Sequence, residues 1–118
     1  MLAKIKMVFI ALGLSSAFEA SAVMASTSVY AFGGLLAGSL QSCLVKAKAA
    51  GAKAGFTAFE QVVMDANQMA GDFHASKPGS PISMTMRCDP VLGVFSIGVS
   101  GIDPKSTFES LRAMVRSL

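Results

Sequence analysis

Residues 82–88 read Ile82-Ser83-Met84-Thr85-Met86-Arg87-Cys88. Apolar and polar side chains alternate without a break, the period of a β-strand with one face buried and the other in water. Ile82, Met84, Met86 and Cys88 then face inward, and Ser83, Thr85 and Arg87 outward. Asp89-Pro90 opens a turn, and Val94 to Val99 is rich in β-branched and aromatic residues, which marks the next strand. The short connection makes the two an antiparallel hairpin. A lone hairpin is marginal in water, so this one needs a third strand and a cover for its apolar face.

The cover lies on both sides of the hairpin in sequence. Upstream, Leu40, Cys43, Leu44, Ala47, Ala50 and Ala54 recur at three- and four-residue steps, which predicts a helix from Ser39 to Ala54 with one apolar face. Ser39 is a suitable N-cap and Gly55 a suitable left-handed C-terminal residue. Downstream, Asp103-Pro104 is a strong start signal, an N-cap followed by proline in the first turn. Phe108, Leu111, Val115 and Leu118 predict the apolar stripe of this second helix, with Arg112 and Arg116 at its negative pole.

Two stretches are ambiguous. In residues 57–74, Phe56, Phe59, Val63, Ala66, Ala70 and Phe73 fit a helical period, and Thr57 with Glu60 matches a capping box. The same stretch also reads as two short strands turning at Asp65-Ala66-Asn67. The hairpin's need for further strands favours the second reading. Residues 26–38 read as a lead-in, part extended and part helical. The expected fold is α+β: a small antiparallel sheet of three or four strands with two helices packed on one face.

The N-terminus carries Lys4 and Lys6, then a twelve-residue apolar stretch from Met7 to Phe18, then Ala20-Ser21-Ala22. This is the layout of a secretory signal peptide, with Val23-Met24-Ala25 as a second cleavage site. Twelve residues are too few to cross ~30 Å of hydrocarbon as a helix. Residues 1–22 are therefore expected to be a signal peptide and residues 23–118 a single small domain, periplasmic or secreted, without a membrane span after cleavage. The formal net charge is +3, weak and scattered, and no clustered basic face points to nucleic acid.

The chain resembles a loose group of small exported bacterial proteins of uncharacterised function. The resemblance rests on a cysteine in an alanine-rich helix, then Ala54-Gly55-Phe56, a strand ending in Cys88, another ending in Gly101, and a terminal helix after Asp103. It covers residues 40–118 and implies an architecture, with no activity or catalytic residue attached.

Cys43 and Cys88 are the only cysteines. In an oxidising compartment a pair in a small domain suggests a bridge. Both fall on predicted inward faces, so a Cys43–Cys88 disulfide is expected. Met84 and Met86 with His74, the sole histidine, form the one set suggesting a metal, since thioether and imidazole suit Cu(I). Methionine as a flexible core filler is the competing reading. No Cys-x-x-Cys, zinc spacing or Gly-x-Ser-x-Gly elbow is present. Asp65, Asp72, Asp89 and Asp103 fall mostly at predicted turns and caps. No catalytic set and no cofactor is expected. The sequence favours a non-catalytic envelope protein that binds a protein partner or supports an assembly, with copper binding as the alternative.

Overall fold

A computed structural model describes residues 27–118; the expected signal peptide and its cleavage sites lie outside them. The elements are β1 (Ser28–Leu35), α1 (Leu40–Lys53), β2 (Ala58–Met64), β3 (Gly71–Ser76), β4 (Ser83–Asp89), β5 (Val94–Gly101) and α2 (Pro104–Arg116). All five strands form one antiparallel sheet in the order β1-β5-β4-β3-β2. Strands β2 to β5 are a meander, and β1 closes against β5. Consecutive strands β1 and β2 thus lie at opposite edges, and α1 carries the chain from one to the other across a face of the sheet.

The alternation of residues 82–88 holds. Ile82, Met84, Met86 and Cys88 are buried, as are Phe73 and Ala75 on β3 and Ile97 and Val99 on β5. Helix α1 covers this face over β3 and β4, and α2 covers it over β1 and β5. Ser39 accepts the Ser42 N–H at 3.1 Å and starts α1. At the other end the Phe56 N–H reaches Gly51 O at 2.8 Å and the Gly55 N–H reaches Ala52 O at 3.1 Å. These two bonds are a Schellman cap, and Gly55 supplies its left-handed residue at φ 92°. Between the caps, Cys43, Ala47, Ala50 and Gly51 are buried. Their small side chains let the helix lie close to the sheet, where Cys43 is bonded to Cys88 with the Cα atoms 6.1 Å apart.

Two sequence expectations change, and the favoured two-strand reading of residues 57–74 holds. The sheet has five strands rather than three or four, because residues 28–35 form β1 instead of a part-helical lead-in. At Gly34 the Phe95 ring of β5 lies where a Cβ would sit, so a larger residue there would have to displace the ring. Residues 57–74 resolve as the strands β2 and β3, with a turn in which Asp65 N–H donates to Ala70 O and Gln68 N–H to Asp65 O. Pairing to β4 outweighs the local helical period, and the apparent helical stripe divides: Phe56 and Phe73 are buried while Phe59 and Val63 are exposed.

The second change concerns α2. Asp103 caps it as expected, accepting the Ser106 N–H at 2.9 Å. Its buried face is Thr107, Ser110, Leu111 and Met114, not the stripe Phe108, Leu111, Val115 and Leu118. Thr107 and Ser110 can be buried because their hydroxyls donate to the carbonyls of Asp103 (2.6 Å) and Ser106 (2.8 Å), four residues back. Gly101 leaves the space that Thr107 fills. The helix is turned accordingly. Phe108 meets the Tyr30 ring edge-on at 5.3 Å and stays 45% exposed.

Candidate functional site

The structure separates the residues that suggested a metal. Met84 and Met86 are buried on the helix-covered face. His74 projects from the opposite face, with Nδ1 2.7 Å from Thr85 Oγ1. The sheet itself lies between imidazole and thioethers, and Cys88 is held in the disulfide. Met84 and Met86 serve as core packing, and the Met84, Met86, His74 set is not brought together. Among the described residues no group of three His, Cys, Asp or Glu side chains is placed to hold a metal ion.

On the open face the register forms polar rows. Ser76 meets Ser83 at 2.9 Å, and His74 meets Thr85. Arg87 donates to both Asp65 oxygens (2.6 and 3.1 Å) and to Asp72 (3.2 Å). The hydrogen bond from Arg87 holds the Asp65 carboxyl below its ordinary value, and the same bonds, to Asp65 first and then Asp72, raise the guanidinium. This network pins the β2–β3 turn to β4. Asp72, two residues from His74, is therefore engaged with Arg87, and the polar face is built as a brace.

Among the described residues a wide concavity lies elsewhere, between α1 and β2. Helix α1 packs over β3 and β4, which leaves the inward side chains of edge strand β2 without a helix above them. Leu40, Leu44 and Val45 form one wall, Val62 and Met64 the other, and Phe73 lines the groove between; its volume is about 600 Å³. Leu40 and Leu44 belong to the predicted apolar stripe of α1, yet both are only half-buried. Lys48 at the groove is neutralised by Glu60 of β2 at 3.3 Å, so the walls offer apolar surface without an unpaired charge.

Strand β2 has a second peculiarity. The pairing with β3 shifts between Ala58 and Gln61, a β-bulge with Phe59 inside it. Phe59 has φ 53° and is 88% exposed. A bulky residue in the left-handed region is strained, and burial gives this one nothing in return. The sequence pattern names Leu40, Leu44 and Phe73 as apolar positions but does not single out Val45, Val62 or Met64. Two short strands turning at Asp65-Ala66-Asn67 are the favoured reading of residues 57–74, and nothing in that reading says that α1 stops short of the first of them.

Among the described residues no helix is long and apolar enough to cross a membrane. No family model, curated protein or solved structure matches the chain.

Proposed function

We propose that this chain is an exported, non-catalytic module of the bacterial envelope, working in the periplasm or outside the cell by binding a protein partner or supporting an assembly. The α1–β2 groove is its docking surface, and an apolar segment of the partner protein is the occupant. The carrying observation is the groove itself: open walls of Leu44, Val45, Val62 and Met64, the last two on a strand that also carries the strained, exposed Phe59. Contiguous exposed apolar surface of this kind marks interaction sites. Export is supported by the N-terminal pattern of residues 1–22 and by the disulfide, which belongs to oxidising compartments. The one charged side chain lining the groove, Lys48, is paired with Glu60, which suits an apolar contact better than acid–base chemistry.

A photo-crosslinking residue at position 45, in protein exported by living cells, tests the reading. The expected result is one discrete adduct from position 45, none from position 96 on the open face, and loss of the adduct in Val62→Asp. Val62 is half exposed, so that variant should melt near the wild type. Equal adducts from both positions, or none from position 45, would overturn the assignment of the groove.

A further inference from the structure

The opposite edge of the sheet carries a second site of different character, and we infer that it binds an extended, acidic peptide segment by strand addition to β1. The placement of α2 makes the site. Because Thr107, Ser110 and Met114 take the buried face, Phe108, Val115, Arg112 and Arg116 are turned toward β1. They and Phe32 line a groove of about 340 Å³ between helix and strand.

Three observations fix the occupant's chemistry. Strand β1 pairs with β5 through eight consecutive residues, Ser28 to Leu35, without a bulge. Among the described residues no strand lies beyond it. The outward N–H and C=O groups of such an edge are a template for another extended chain. The apolar walls then take alternate side chains of that chain, since a strand presents every second residue to one face. Finally, Arg112 and Arg116 stand one helical turn apart at this groove. Among the described residues neither has an ion-pair partner. Glu109 of the same helix borders the two arginines without forming an ion pair with either. Guanidinium groups prefer carboxylates, which they bind through two parallel hydrogen bonds. An unpaired backbone edge recognises peptide, which sets this occupant apart from an anionic lipid that would satisfy the arginines alone.

The test pans a displayed library of ten-residue peptides against the whole protein and against Arg112→Gln/Arg116→Gln. Both arginines are exposed, so this variant should fold. Enriched sequences are expected to alternate apolar residues and to carry Asp or Glu. A synthetic peptide of the enriched sequence should bind the variant at least ~10-fold more weakly, the scale of a lost charge-assisted contact. Its Glu→Gln version should show the same loss on the wild type without any change to the protein. Bound peptide should slow hydrogen exchange in β1 and leave β2 unaffected. The inference is overturned if nothing is enriched, if enriched peptides lack acids, if the variant binds equally, or if protection falls on β2. It is also overturned if phosphatidylglycerol vesicles bind this face and the peptides do not. The crosslinking at position 45 reads the other edge, so either proposal can fail alone.

Discussion

The two edge strands of this sheet meet the same problem and resolve it differently. Strand β2 is interrupted by a bulge at Phe59, its nearby charges Lys48 and Glu60 cancel, and its neighbouring helix α1 is tied to the sheet centre by Cys43–Cys88. Strand β1 is regular over its whole length, and its neighbouring helix α2 presents two arginines that have no ion-pair partner among the described residues. A bulge spoils an edge for further strand pairing. What β2 can offer is therefore side chains across a groove, whereas β1 can offer its backbone. One small sheet thus carries a surface suited to apolar docking and another suited to strand addition.

The largest effect should come from the disulfide, which belongs to one side of that contrast. The Cys43→Ser/Cys88→Ser protein is expected to lose about 2–5 kcal/mol of stability, measured as a lower melting temperature, with the same loss on reducing the wild type. The loss should be unequal across the molecule. Hydrogen exchange should quicken most in α1, which forms a wall of the β2-side groove, and less in α2 and β1. A uniform increase would mean that the two edges belong to one cooperative unit and that the contrast is only one of shape.

How much of this was legible follows from where each signal resides. The inward row Ile82, Met84, Met86, Cys88 and the bridge to Cys43 could be read because alternation and helical period are local, and both survive in the structure. The caps Ser39, Gly55 and Asp103 were readable for the same reason. Strand β1 was not, because Gly33-Gly34 looks like a breaker until the Phe95 ring is known to lie over Gly34. The rotation of α2 was hidden because Thr107 and Ser110 count as polar in any pattern, and only their bonds to Asp103 and Ser106 make them core residues. Both grooves arise from such offsets between a helix and the strand it leaves uncovered, which no single segment encodes.

A smaller effect is expected at the centre, which serves both edges alike. Met84→Leu with Met86→Leu exchanges side chains of similar volume, and such swaps usually cost less than ~1.5 kcal/mol. Urea denaturation should show a small loss, and both binding readouts should be unchanged. A folded double variant that had lost one of them would move the function from the edges into the core. Cu(I) affinity that fell in the same variant would revive the metal reading against the separation of His74 from the thioethers.

Arg87 braces the β2 side alone, through Asp65 and Asp72. The Asp65 carboxyl is held below its usual 3.8 by the Arg87 hydrogen bond, so its ionised form favours the folded state. That contribution is complete above the unfolded value and is lost as the pH falls below about 4. Asp103 behaves with the same sign through its bonds from Ser106. Arg87→Met should therefore flatten only part of the acid-induced loss of stability, and Asp103→Asn another part. Exchange at pH 7 should quicken in the β2–β3 turn of Arg87→Met while β1 stays as in the wild type. An unchanged acid profile would show that the brace contributes nothing measurable, as many exposed ion pairs do not.

The smallest effect has the opposite sign and bears most directly on why the edges differ. Phe59 is held at φ 53° in the bulge of β2 and is almost wholly exposed. The left-handed region costs an L-residue about 1–2 kcal/mol, and an exposed ring regains little of that through burial. Glycine adopts the region freely but gives the unfolded chain more freedom, a cost of roughly 0.5–1 kcal/mol. Phe59→Gly should thus be neutral or more stable by up to about 1 kcal/mol, and Phe59→Asn, which tolerates the same φ, should behave alike. If the ring is retained for contact with a partner, both variants should also weaken the adduct formed from position 45, so that stability and binding move in opposite directions. Destabilisation by more than about 1 kcal/mol would show instead that the ring packs on the fold. An undiminished adduct would remove Phe59 from the docking surface and leave the bulge with one task, keeping β2 from pairing with a further strand.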